Sequence, residues 1–342
     1  MSAAPTVAVV VLAYGAEPYL EPCVRSLLAS EGVGVEAVLV DNGCTDGAVD
    51  RLEAEGLPGL IVVRPGANLG FAGGCNEGAR HSTSDLVAFV NFDATVEVDT
   101  LARLADVARE PTVGIATASI RLADRPDRLN SAGNDIHFLG LSWSGRFDEP
   151  AASCDRREDV TGASGAGMML RRQVWDRLGG FDPVYFMYHD DAELSWRCHM
   201  AGLRVVYVPD AVVIHRYEFT RNPQKLHLIE RNRILMVLTC YSARMLILIA
   251  PALAALELGT LALAVAEGWW RQKLSAWWWL ATNRRLVAAR RRAVQASRVT
   301  PDRDLARLLV ADIDPGNYRL GPAVRALNGG LRAYWRVARR LL

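Results

Sequence analysis

The sequence predicts an α/β protein with a mainly parallel central sheet, followed by a helical C-terminal region. Three observations carry that reading. Short β-branched runs alternate with amphipathic stretches over the first third of the chain, two of those runs end in Asn and Asp, and long helical segments take over beyond residue 226.

Residues 7–13 are a continuous apolar run, as expected of a strand buried on both faces. Pro18 then opens a helix in which Leu20, Val24, Leu27 and Leu28 form one apolar stripe. Residues 35–40 are a second strand, 46–55 a helix behind a Thr45 cap, 60–63 a third strand and 73–80 a short helix. A fourth strand at 86–91, a helix at 98–109 and a fifth strand at 113–119 complete the alternation. Residues 121–159, rich in Gly, Asp, Asn and Ser, show no clear period and are expected to cross the mouth of a site. A small-residue loop at 161–167, an apolar segment at 168–170 and a helix at 172–178 stopped by Gly179 and Gly180 come next. The chain then offers a helix at 191–200 and strands at 203–208 and 211–214 that lead to His215.

Composition narrows the class. Hydrophobic residues make up 51% of the 342 and charged residues 23%, which is globular and not disordered. The net charge of +1 conceals an asymmetry: residues 271–342 hold sixteen Lys and Arg against four Asp, or +12, so residues 1–270 carry −11. The six cysteines are scattered without a CxxC pair or metal-ligand spacing, as expected of reduced thiols in a cytosolic chain. The N-terminus has no basic segment ahead of its apolar run and reads as a first strand, not a signal peptide.

In open parallel sheets ligands bind beyond the carboxyl ends of the strands. The second strand ends in Asp41-Asn42-Gly43 and the fourth in Asn91-Phe92-Asp93. Each acid has a plainer reading, Asp41 as a turn cap and Asp93 as a loop acid, but the pair favours a shared site. The loop NLGFAGGCNEG from Asn68 to Gly78 lets backbone approach a diphosphate closely, and matches neither GxGxxG nor a P-loop. In GGFDPVYFMYHDDAELSWR, Asp190, Asp191 and Glu193 follow an aromatic run; a helix N-terminus also favours acids there. His215 with Asp93 makes a partial shell for a divalent cation.

These pieces, in this order, resemble the family 2 glycosyltransferases with a GT-A fold, most closely the rhamnosyltransferase-like branch. The matching motifs are VVVLAYG at Val9, VDNGCTDG at Val40, NLGFAGGCNEG at Asn68, VNFDATV at Val90, GASGAGMMLRR at Gly162, the stretch from Gly179, and VVIHR at Val212. The resemblance implies a GT-A catalytic domain over residues 1–225, with residues 226–342 as a separate helical region. It also implies that Asp41 reads the nucleobase near Ala13 and Tyr14. Asn42, Asn68, Gly70, Phe71, Asn76, Asn91, Gly162 and Ala163 would line the nucleotide-sugar pocket. Asp93 and His215 would hold Mg²⁺ or Mn²⁺, although Asn91 replaces the first acid of a full Asp-x-Asp. Asp191 would be the catalytic base with Asp190 supporting it, and Glu193 structural. One base and no second nucleophile imply direct displacement with inversion. The donor would be a dTDP- or UDP-sugar, best dTDP-rhamnose, and the acceptor a glycan or polyprenyl-linked saccharide of the cell envelope. The rivals are a nucleotidyltransferase, which lacks an arginine-rich activation loop here, and a scaffold that binds donor without turnover.

Residues 245–266 are long enough to cross a bilayer but contain Pro251 and Glu257. Trp269, Trp270, Trp277, Trp278 and Trp279 follow among Arg271, Lys273, Arg284, Arg285 and the cluster Arg290-Arg291-Arg292. Tryptophans interleaved with cations predict a shallow membrane-surface element on the inner face of the cell membrane, with a span, or a soluble helical dimer or core element, as alternatives. Apolar runs between the cations argue against nucleic acid.

Overall fold

The computed structural model describes residues 5–16, 18–216, 224–316 and 322–342. The first four segments of the chain to be paired are all parallel. β1 (Thr6–Gly15) lies between β2 (Gly34–Cys44) and β4 (Leu86–Val90), and β3 (Leu60–Val63) borders β2. Helices α1 (Leu20–Leu28), α2 (Ala48–Ala54) and α3 (Gly70–Arg80) connect them. β1 buries nearly every residue, as its unbroken apolar run requires. α2 starts later than expected, at Ala48, because Asp46 and not Thr45 accepts the first helical N–H, from Ala48 at 3.0 Å.

α3 starts at Gly70, three residues before the expected Gly73. Gly70 has φ +69°, and any Cβ there would collide with Phe186 O and its ring. Deeper in α3, a Cβ on Gly74 would strike Leu12, so this helix packs its backbone directly on β1.

Beyond β4 the chain adds β5 (Ala94–Val96), α4 (Thr100–Ala108) and β6 (Val113–Leu122). The region without clear period resolves into β7 (Arg125–Ser131), antiparallel to β6, then β8 (Asn134–Ile136) with β9 (Ser142–Ser144), and β10 (Glu158–Asp159). β11 (Gly167–Arg171) inserts antiparallel between β4 and β6. After α5 (Arg172–Leu178) and α6 (Asp190–Met200), β12 (Arg204–His215) runs parallel to β6, joining the two strands expected at 203–208 and 211–214 across a register shift. The sheet is therefore mixed, with its four-strand half wholly parallel.

The described chain divides into two compact units: Met1–Asn134, Ser144–Cys198 and Leu203–Glu218 form one, and Asp135–Trp143, His199–Gly202 and Phe219–Leu342 the other. The second contains α7 (Lys225–Cys240), α8 (Ala243–Ala266), α9 (Trp270–Thr282), α10 (Arg284–Ala296), α11 (Asp302–Leu305) and α12 (Pro322–Ala338). Within it, Glu257 of α8 is turned onto α7 and α9. It pairs with Arg233, lies 2.8 Å from Lys273 Nζ and accepts from Trp277 Nε1 at 2.6 Å; Glu230 joins the same two cations. Arg233 and Lys273 are wholly buried, so Glu257 is a packing contact and not a random break in an apolar run. The rest of α8 stays open, with Ile247 74%, Leu258 67% and Val265 61% exposed. By length and composition it is one helix able to cross a membrane.

Candidate active site

The carboxyl ends of β1 and β2 meet in register at Ala13 and Asp41. Asp41 Oδ1 accepts from Gly43 N at 3.2 Å and Cys44 N at 2.9 Å, while Oδ2 pairs with Arg64 Nη1 at 2.7 Å. Arg64 follows the third strand and also binds Asp50 and Glu53. It escaped the sequence reading, although a charged residue at a strand's carboxyl end is the signal that singled out Asp41 and Asp93. Tyr14 is 57% exposed beside Gly43.

The asparagines are framework here. Asn42 is buried, donates to Asn68 Oδ1 at 2.9 Å and accepts from Leu69 N at 2.8 Å; Asn68 Oδ1 also takes Gly70 N at 2.9 Å. Asn76 exchanges both amide bonds with the Phe181 backbone, at 2.7 and 3.0 Å, tying α3 to the GGF turn. These three side chains therefore shape the small-residue loop through the protein's own backbone.

At the end of β4, Asp93 Oδ1 lies 3.2 Å from His215 Nε2 without a hydrogen bond, and Asn91 Nδ2 lies 3.4 Å from the same nitrogen. His215 Nδ1 faces Asn130 Oδ1 at 2.8 Å. An amide oxygen only accepts, so Nδ1 donates to it, and in the neutral imidazole Nε2 then turns its lone pair toward the carboxylate. Two electron-rich atoms held at this separation fit a cation: adjacent donors on an octahedral ion with bonds of about 2.1 Å stand about 3 Å apart. Among the described residues no third His, Cys, Asp or Glu joins them, so the remaining positions suit diphosphate oxygens and water. Asn130 holds the imidazole as an outer partner would.

The third group is at the start of α6. Phe186, Tyr188 and His189 all have positive φ, 64°, 69° and 63°, a strained backbone that sets the helix start. Phe186 O accepts from Ala72 N at 3.1 Å, so this strain is locked against α3. Asp190 points inward, its Oδ2 buried and without a hydrogen bond. Burial first, and Asp191 second, push its carboxyl well above the usual range. Asp191 keeps an opening to solvent. Its Oδ2 accepts from Gly165 N at 3.2 Å and Asn134 Nδ2 at 3.1 Å, and Oδ1 from Ala192 N at 2.8 Å. Burial raises this carboxyl too, and those N–H groups offset only part of the rise. Glu193 makes a two-pronged pair with Arg197, at 2.8 and 2.7 Å. Phe71 approaches the same corner: a Cβ on Gly165 would lie 3.3 Å from its ring and 3.8 Å from Asp191 Cβ. Gly162 accepts from Asn134 N at 2.7 Å, and Ala163 N donates to Ser195 Oγ at 2.9 Å.

Residues 4–235 match the family model described as Glycosyltransferase like family 2. The chain belongs to that family. Among curated proteins it is similar to the N-acetylglucosaminyl-diphospho-decaprenol L-rhamnosyltransferase of Mycobacterium tuberculosis, 29% identical over 60% of this chain and 75% of that one. It is 24% identical to the rhamnosyltransferase WbbL of Escherichia coli, over 60% and 82% of the two chains. Solved structures of like fold include the mannosyltransferase PcManGT of Pyrobaculum calidifontis with GDP-Man and Mn²⁺. That match has a TM-score of 0.52 at 20% identity, over 99% and 87% of the chains. S. aureus TarS 1–349 with UDP-GlcNAc matches at 0.55 and 14%, over 98% and 90%. This glycosyltransferase thus has a GT-A-like fold with a mostly parallel sheet and C-terminal helices.

Proposed function

We propose that this glycosyltransferase transfers L-rhamnose from dTDP-rhamnose, with inversion, to a polyprenyl-linked or polysaccharide acceptor in cell-envelope glycan synthesis. The observation that carries the reading is Asp191: a half-buried residue whose carboxylate is held by three N–H donors, in the unit that also brings Asp93 to His215. In this reading Asp191 takes the proton of the acceptor hydroxyl as oxygen attacks the anomeric carbon, the bond to the diphosphate breaks, and the nucleoside diphosphate leaves. Asp190, kept neutral, adds no second charge beside the base. Asp41 is oriented by Arg64 to read the nucleobase between Ala13 and Tyr14. Asn42, Asn68, Gly70, Phe71, Asn76, Asn91, Gly162 and Ala163 shape the donor pocket. Asp93 and His215 would hold Mg²⁺ or Mn²⁺, which neutralises charge on the diphosphate.

The C-terminal helices would rest on the inner face of the membrane, α8 offering apolar side chains and α9 and α10 offering tryptophan and arginine, with a homodimer as the other use of that surface. The rhamnosyltransferase relatives, one named for a decaprenol-linked acceptor, support this choice of substrates. Like-fold structures with UDP-GlcNAc and GDP-Man place those donors in the same screen. The test is nucleotide release from a donor panel against lipid-linked and soluble acceptors, with and without EDTA. Release from dTDP-rhamnose that needs acceptor and metal is expected. Turnover of another sugar alone would reassign the donor, and binding without turnover across the panel would make the protein a scaffold.

A further inference from the structure

Asn134 ends the turn after β7, in the region whose sequence has no clear period, and its amide orientation is unambiguous. Its Nδ2 donates to Ala163 O at 3.0 Å and to Asp191 Oδ2 at 3.1 Å, while its Oδ1 lies 3.1 Å from Ser131 Oγ. Reversing the amide would set its oxygen against two acceptors, Ala163 O and Asp191 Oδ2. Ser195 secures the other side of the same corner, donating from Oγ to Asp191 O at 2.7 Å and accepting from Ala163 N.

We propose that Asn134 is a positioning residue for the transfer reaction, fixing the rotation of the Asp191 carboxylate and selecting it over Asp190 as the ionised member of the pair. The proposal rests on the reading of Asp191 as the base. Two neighbouring carboxyls in a poorly solvated corner do not both ionise cheaply, so the proton resides where charge is least supported. Asp190 Oδ2 is buried without a donor, whereas Asp191 Oδ2 has two, Gly165 N and Asn134 Nδ2. Glu193, one turn along α6 and engaged by Arg197, and the Cys75 thiol of α3 are ionisable groups that bear on Asp190, and His189 directly precedes it in sequence. Gly165 N is backbone, fixed by the loop, so Asn134 is the side chain through which this selection is set.

Infrared titration of the full chain tests this without any substrate. The carboxyl band lost in Asp191→Asn identifies Asp191, and its protonation midpoint is then followed in Asn134→Ala. Loss of a donor to the charged form should raise that midpoint by about one pH unit. Asn134→Leu, which keeps the side-chain volume but removes the donor, should move it in the same direction by a similar amount, and serves if Asn134→Ala does not fold. An unchanged midpoint in the folded variants overturns the proposal. Full turnover by Asp191→Asn would instead strike the base assignment and leave the titration result standing.

Discussion

Asp190 turns an undonated oxygen into the interior, whereas Asp191, the next residue, takes two N–H groups on one oxygen and is half-buried. Asp191→Asn is expected to lower turnover by about 10²–10⁴ while donor affinity stays close to wild type, as loss of a general base requires. Asp190 behaves differently in a stability measurement. Its folded carboxyl binds its proton more tightly than the unfolded one, so its contribution is complete below about pH 4 and is lost as pH rises toward its raised folded value. Denaturant unfolding should therefore show Asp190→Asn gaining on the wild type from about pH 4 upward; a constant difference would contradict the buried neutral acid. Asn130→Ala should weaken Mn²⁺ binding about 10–100-fold, read by the free-Mn²⁺ signal in electron paramagnetic resonance with dTDP present. The strand-end acids were legible because a sheet's carboxyl edge is a known place to look. Asn130 and Asn134 were not, since their partners His215 and Asp191 lie 85 and 57 residues away and only tertiary pairing makes them functional candidates.

At the scale of elements, buried runs such as residues 7–13 and 86–91 announced their strands through composition alone. Helix starts did less well. The beginning of α3 depends on Gly70 accepting the approach of Phe186, more than a hundred residues on, and no local signal encodes that contact. The short strands β7 to β10 lack an apolar period because they present polar residues at a rim; β7 reads RPDRLNS. In α8 the sequence marked Glu257 as an interruption, and the fold turns it into the partner of two buried cations. Glu257→Gln should cost roughly 3 kcal/mol in chemical unfolding, because Arg233 and Lys273 would then share only Glu230. Leu258 is on the open side of the same helix, and Leu258→Asp should reduce flotation with anionic vesicles while leaving the unfolding curve near wild type. Equal flotation of both proteins would remove α8 from the membrane surface.

Across the whole molecule, charge is divided along the chain, −11 over residues 1–270 and +12 over residues 271–342. Such a division suits a protein whose basic end faces anionic lipid, and vesicle binding should weaken as salt shortens the reach of those charges. The ordered motifs made the family legible, and the family match spans residues 4–235. Sugar and acceptor are decided by pocket shape, which motifs do not spell out. The central claim is single displacement by the acceptor hydroxyl with Asp191 as its base, and the anomeric configuration of the product tests it most directly. With dTDP-rhamnose and a polyprenyl-linked acceptor, nuclear magnetic resonance of the isolated product should show the configuration opposite to that of the donor; a product that retains the donor's configuration would contradict the account.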